Sequence, residues 1–443
     1  MKTNRYLIFV IPLFLFTCKP SSANFSTQTF PSPISQTEPP VVIQYSSSIP
    51  SPTITLTATS SQTPIPSSTP TLPPSLSSLL VVYTDEKNIW LWQNGVPTLL
   101  TTTEGYSEVR PSDDGQRVAF TRNGQLWVIN SNGTDERLLV SSNNLKEIEP
   151  ETSESTLVLH QFDWIPESHA LLFNTSFSGY GISHRDDLHL IDADTLEGKT
   201  LRDAGEGGIF SFSPSGKLVA LVTPHEISIM EINGTNYRSL LKYSQINTGS
   251  EYYYYVDPIW SLDSQALVVD IPPRDYKDHS DTALKVIWRL FANGNSPVVL
   301  SKLPARYHYI FSPDLSKLAY YNEIRNDGEV HIANIDGSGT TPYQFEPNIN
   351  FVTWSPNSTS FVLKSRKTNQ YFLASVEDEP VVLTEQESQD FLWIDESHFL
   401  YKNIFNGTCD LRLGTIDKPS ILLVSLNVDP NPYDCFKPYD FVQ

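Results

Sequence analysis

The chain has 443 residues, with 50 Asp and Glu against 30 Lys and Arg and a formal net charge of −20. That excess excludes a nucleic-acid binder, whose affinity depends on neutralising phosphates with basic side chains. It equally disfavours adsorption on an anionic lipid surface.

The first 17 residues read as a secretory signal: Lys2 and Arg5, an apolar run from Tyr6 to Phe16, then Thr17. The run is too short to cross a bilayer, which takes about 20 residues. Its end, Leu15-Phe16-Thr17-Cys18, resembles the lipobox of bacterial lipoproteins. That resemblance implies a lipidated Cys18 at a new N-terminus and an exported chain on the outer face of the cytoplasmic membrane. The lipid anchor would be its only membrane contact. An ordinary secretory peptide with an incidental Cys18 is the alternative. With Cys18 set aside, only Cys409 and Cys435 remain. An even pair in an oxidising compartment is expected to bridge, the alternative being two free thiols.

From Cys18 to Ser78 the composition is dominated by Ser, Thr and Pro, as in Thr63-Pro64-Ile65-Pro66-Ser67-Ser68-Thr69-Pro70. Such a stretch cannot bury enough apolar surface to offset its ordering entropy, so 18–78 is expected to be a disordered stalk. Extended like polyproline it would reach about 180 Å.

Residues 79–443 hold 27 basic and 49 acidic residues and repeat themselves. One unit reads Pro111-Ser112-Asp113-Asp114-Gly115-Gln116, Arg117–Thr121, Gln125–Ile129, Asn132-Gly133-Thr134 and Arg137–Val140. A second starts at Phe212-Ser213-Pro214-Ser215-Gly216-Lys217 and turns at Asn233-Gly234, and a third starts at Phe311-Ser312-Pro313-Asp314 and turns at Asp336-Gly337. Weaker copies begin at Phe162, Ile259, Val352 and Phe391. Short alternating strands punctuated by Asn-Gly and Asp-Gly read as hairpins. Such units cannot cover their own faces and must stack radially.

The pattern resembles the TolB-like, WD40-type (PD40) propeller repeat over about 79–425. The resemblance implies an all-β chain with a single β-propeller of four-stranded blades. The first unit, Leu80–Tyr83, Ile89–Trp92 and Pro97–Leu100, lacks an innermost strand, which the tail from Pro432 to Gln443 could supply. That gives eight blades, with seven as the alternative, and a Cys409–Cys435 bridge would pin the closing tail.

The long insertions, Ser141–Ser155, Ser176–Asp187, Tyr243–Tyr255, Pro272–Asp281, Asn322–Gly328 and Ile404–Thr408, would emerge on one face. Long loops on one end of a rigid scaffold are where binding usually resides. Tyr252, Tyr253, Tyr254 and Tyr255 offer flat apolar faces with hydroxyls, suited to sugar rings or protein hot spots. Arg274, Asp275, Tyr276 and His279 on one loop, and Tyr180, His184 and Arg185 on another, complete the candidate face. No Gly-x-Ser-x-Gly elbow, zinc spacing or calcium loop occurs, so no catalytic residue, metal or cofactor is expected.

The expectation is therefore a non-enzymatic surface module that binds an envelope or extracellular protein or glycan. Two alternatives stand beside it: an extracellular glycan hydrolase using channel carboxylates, and a TolB-like part of an envelope complex.

Overall fold

The computed structural model describes residues 76–442 apart from 86–87, 103–105, 153–154, 180–182, 277–281, 323–328, 344–347, 428–434 and 437–438. The readings at Cys18, residues 18–75 of the expected stalk, Tyr180 and His279 lie outside the described residues. The strands form eight antiparallel sheets, each with a four-strand ladder, arranged as a β-propeller.

Blade 1 takes Leu80–Thr84, Ile89–Gln93 and Val96–Thr101 from the start of the domain. Its innermost strand comes from the other end of the chain, Tyr439–Val442, with Leu80 opposite Val442 and Val82 opposite Asp440. The tail therefore closes the ring. Blades 2 to 8 follow in order over 106–140, 155–202, 209–242, 259–304, 307–343, 349–382 and 388–427. Packing begins slightly upstream of the expected boundary. Leu76 is fully buried beside Leu79, Val81 and Phe436, a burial that contributes about 2 kcal/mol.

The repeated Ser-x-Asp motif makes the turn between the first and second strands. In blade 6 the Ser312 hydroxyl donates to Asp314 Oδ1 (2.7 Å) and accepts from Lys317 N (2.9 Å). Ser112 and Ser261 repeat the arrangement in blades 2 and 5, and Ser355 makes it in blade 7 with Asn357 in place of the Asp. The fourth residue of this turn needs positive φ, which Gly115 and Gly216 meet at +68°. A Cβ on Gly216 would stand 2.7 Å from Pro166 of blade 3. In blades 5 and 7 the same position is Ser264 (φ 62°) or Ser358 (φ 64°). Their hydroxyls accept from Ser215 N (2.9 Å) and Asp314 N (3.0 Å) of the preceding blade. The motif thus shapes the hairpin and also ties neighbouring blades.

The ring closure carries its own fastenings. Cys409 and Cys435 are bridged, at a sequence separation of 26. The Lys402 ammonium, fully buried, donates to Cys435 O (3.1 Å) and pairs with Asp390. The Tyr439 hydroxyl donates to the Asp390 carbonyl.

Two expected loops differ. Between blades 2 and 3 the chain makes a short helix, Ser142–Ile148. Ser141 and Asn144 cap it reciprocally, and Leu145 anchors it in the core between blades. The expected loop Ile404–Thr408 is only a turn at Asn406-Gly407, because the flanking strands run through Phe405 and resume at Thr408.

Candidate binding face

Loops from the second to the third strand of a blade, and from the fourth strand to the next blade, emerge on one face. Over blades 3 to 5 that face carries the described residues of the excursion, 183–187, and of the connections 141–152, 203–208, 243–258 and 272–276. No metal-binding group of three or more His, Cys, Asp or Glu occurs among the described residues.

The excursion of blade 3 is built on a buried polar base. Asp187, fully buried, accepts from Thr175 N (2.8 Å), Thr175 Oγ1 (2.6 Å) and Arg185 Nη1 (2.7 Å), with His189 Nε2 at 3.0 Å. Burial would raise its pKa, but the bonds from His189, Thr175 and Arg185 outweigh it and hold the carboxyl below its ordinary value. Arg185 also reaches Glu149 at 3.2 Å, so its guanidinium holds the excursion in place. The connection 203–208 presses against this base. A Cβ on Gly207 would lie 2.4 Å from the Asp187 carbonyl.

Above it, aromatic rings from three segments meet. The ladder between the first two strands of blade 3 skips from Leu159 to Gln161, leaving His160 as the bulged residue. Its ring lies 4.1 Å from that of His184. Tyr255 stands edge-on to His184 at 4.7 Å and donates to Asp186 Oδ1 (3.0 Å). Burial, with His184 alongside, presses His160 down to about 4, and burial lowers His184 too. Both rings are therefore neutral at pH 7. Asp186 is pushed up to about 6, mainly by burial.

The loop 243–258 is then zipped to the loop of blade 5. Asn247 N donates to Arg274 O (2.7 Å), and Tyr276 N donates to Asn247 O (3.0 Å). The rings of Tyr254 and Tyr276 meet at 4.8 Å. Between the loops is an open hollow of ≈ 520 Å³ lined by Gln245, Ile246, Asn247, Arg274 and Asp275. Tyr252 (44 % exposed) and Tyr253 (53 %) project into solvent. Tyr254 and Tyr255 instead pack on the core between blades 4 and 5.

The structure thus gathers Tyr252 to Tyr255, Arg274, Asp275, Tyr276 and His184 on one face and makes Arg185 a supporting residue. Sequence reasoning passed over His160, Gln245, Asn247 and the base around Asp187. The Asp-x-His spacing of Asp187 and His189 was a faint signal; the bulge at His160 left none.

A second polar cluster lies on the innermost strands of blades 1 to 3. Arg110 contacts Glu108 Oε1 (2.8 Å) and Asp440 Oδ2 (3.7 Å). Asp163, close enough to feel both Arg110 and Asp440, is raised to about 6, first by burial.

No protein-family model matches the chain, and no curated protein matches it. Solved structures do. The crystal structure of a eukaryotic initiation factor aligns at TM-score 0.50 and 12% identity over 82% of this chain and 97% of its own. Dihydro-heme d1 dehydrogenase NirN aligns at 0.49 and 11%, over 82% and 77%. A putative TolB from Agrobacterium tumefaciens aligns at 0.33 and 14%, over 55% and 90%. At these identities the likeness is one of fold alone, the β-propeller that the eight sheets describe.

Proposed function

We propose that the protein is a non-enzymatic binding module, carried outside the cell on a lipid anchor at Cys18. Its ligand, an envelope or extracellular protein or glycan, docks on the long-loop face over blades 3 to 5. One observation carries this reading. The loops that present Tyr252 and Tyr253 are fixed beforehand, by Asn247 with Arg274 and Tyr276 and by Tyr255 with Asp186. Loops held in place lose little entropy when a ligand arrives.

The test is a pull-down from cell-envelope extract with the full chain and with a variant carrying Tyr252→Ala, Tyr253→Ala and Arg274→Ala. A ligand held by the first and lost from the second supports the reading. Equal retention moves the site off this face.

A second reading has one observation in its favour. Asp163, at about 6, sits with Glu108 among channel carboxylates, in the range suited to a general acid. Turnover of any polysaccharide, abolished by Asp163→Asn with binding retained, would replace the binding module with a hydrolase.

A further inference from the structure

We infer that the hollow between loops 243–258 and 272–276 is a subsite for a neutral glycan chain. This rests on the reading of the long-loop face as the binding surface.

Four of the five described lining residues, Gln245, Asn247, Arg274 and Asp275, end in planar groups with more than one hydrogen-bonding atom. Such groups meet two adjacent hydroxyls of a sugar ring at once. The fifth, Ile246, is only 2 % exposed. The centre of a protein–protein interface is built on exposed apolar anchors, and among the described lining residues the one aliphatic side chain is almost fully covered. Its ≈ 520 Å³ falls within the span of small-ligand sites.

Flat faces stand beside the polar groups. The hydroxyl of Thr248, next to Asn247, donates to Tyr252 O (2.8 Å), so the exposed tyrosines are tied to the rim of the hollow. Their rings suit the C–H faces of a pyranose, while their hydroxyls remain available to its oxygens. Gly249 N donates to Asn247 Oδ1 (2.9 Å), which orients that amide.

Charge decides between neutral and anionic chains. Arg274 and Asp275 bring opposite unit charges to the lining, so its described residues offer no net attraction to an anion. The whole chain carries −20 and repels a polyanion at longer range. A chain of uncharged sugars meets neither obstacle.

The experiment is calorimetric titration of the full chain with neutral hexasaccharides (gluco-, manno- and N-acetylglucosamine-based) and with an oligouronate. At least one neutral chain is expected to bind. Tyr253→Ala or Gln245→Ala should each weaken it by about tenfold while the melting temperature stays unchanged, since both side chains are exposed. The inference falls if no neutral chain binds, if the oligouronate binds better than all of them, or if both variants bind as the parent does. If an envelope protein is captured through Tyr252 and Tyr253 while no glycan binds, the glycan assignment fails and the binding module stands. If neither is held by this face, both fail.

Discussion

The Tyr255 hydroxyl donates to Asp186 Oδ1 at 3.0 Å, across 69 residues of sequence. One hydrogen bond thereby ties the connection before blade 5 to the excursion of blade 3. Losing it in Tyr255→Phe should cost about 1 kcal/mol and speed amide exchange in 243–258 before blades 6 and 7 respond. Exchange that rises equally across all blades would show that the bond does not hold this loop in particular.

The same carboxyl gives a pH signature. Burial raises Asp186 to about 6, with Tyr255 and His225 pulling it down and Asp187 pushing it further up. The folded state therefore favours the protonated form. Its stabilising contribution is complete below the unfolded value of about 3.9 and is lost as pH rises through about 6. Asp186→Asn keeps an acceptor for Tyr255 without the charge. Its melting temperature should exceed the parent's by about 2 °C at pH 7.5 and match it near pH 4. An advantage of equal size at both pH values would contradict the assignment.

Much of the fold was legible because its signals are local. Asn132-Gly133, Asn233-Gly234 and Asp336-Gly337 mark hairpins through their backbone requirements. The missing first strand of blade 1 pointed to the tail, and Tyr439–Val442 fills that place. The site was less legible because its contacts are not local. Nothing near Asn247 announces that it will pair with Arg274 and Tyr276, and a bulge at His160 depends on ladder register. The helix at Ser142 has only one turn of cue, the reciprocal Ser141 and Asn144 cap.

The Ser-x-Asp turns should set the acid limit of the fold. At Asp263 the Ser261 hydroxyl, then the Gln265 amide, hold the carboxyl below its ordinary value. At Asp114 and Asp314 burial pushes up, but the turn's hydrogen bonds outweigh it. Lowered folded pKa values mean stability that is present above about pH 3.9 and lost as pH falls below it. Ser312→Ala, which strips Lys317 N of its partner, should cost about 1.5 kcal/mol at pH 7. The cost should be smaller at pH 3, below the ordinary carboxylate value, where the negative charge that the Ser312 hydroxyl stabilises on Asp314 begins to be lost. Denaturant titrations at the two pH values check this, and a cost that grows in acid would refute it.

Ser264 separates backbone strain from hydrogen bonding. Its φ of 62° disfavours any side chain, yet its hydroxyl accepts from Ser215 N of blade 4. Ser264→Ala loses the bond and keeps the strain, a cost of about 1 kcal/mol. Ser264→Gly loses the bond but relieves the strain, and should lie within about 0.5 kcal/mol of the parent. Equal losses in the two variants would mean that the positive φ carries no cost here.

Arg110 is the cation among carboxylates from three blades: Glu108 of its own strand, Asp163 of blade 3 and Asp440 of blade 1. Arg110→Met leaves these acids facing one another. Asp163 already titrates near 6, mainly through burial and against the pull of Arg110, so without Arg110 it should titrate higher still. Because that raised group stabilises the fold only while protonated, the variant should be worst in alkali. A loss of about 2 kcal/mol is expected at pH 8, discounted for the partial exposure of the pairs, and about half that at pH 5. Thermal unfolding at both values reads the difference directly. The cluster is an electrostatic unit joining three blades if the loss is larger at pH 8. A loss independent of pH would mean that Arg110 acts by packing alone.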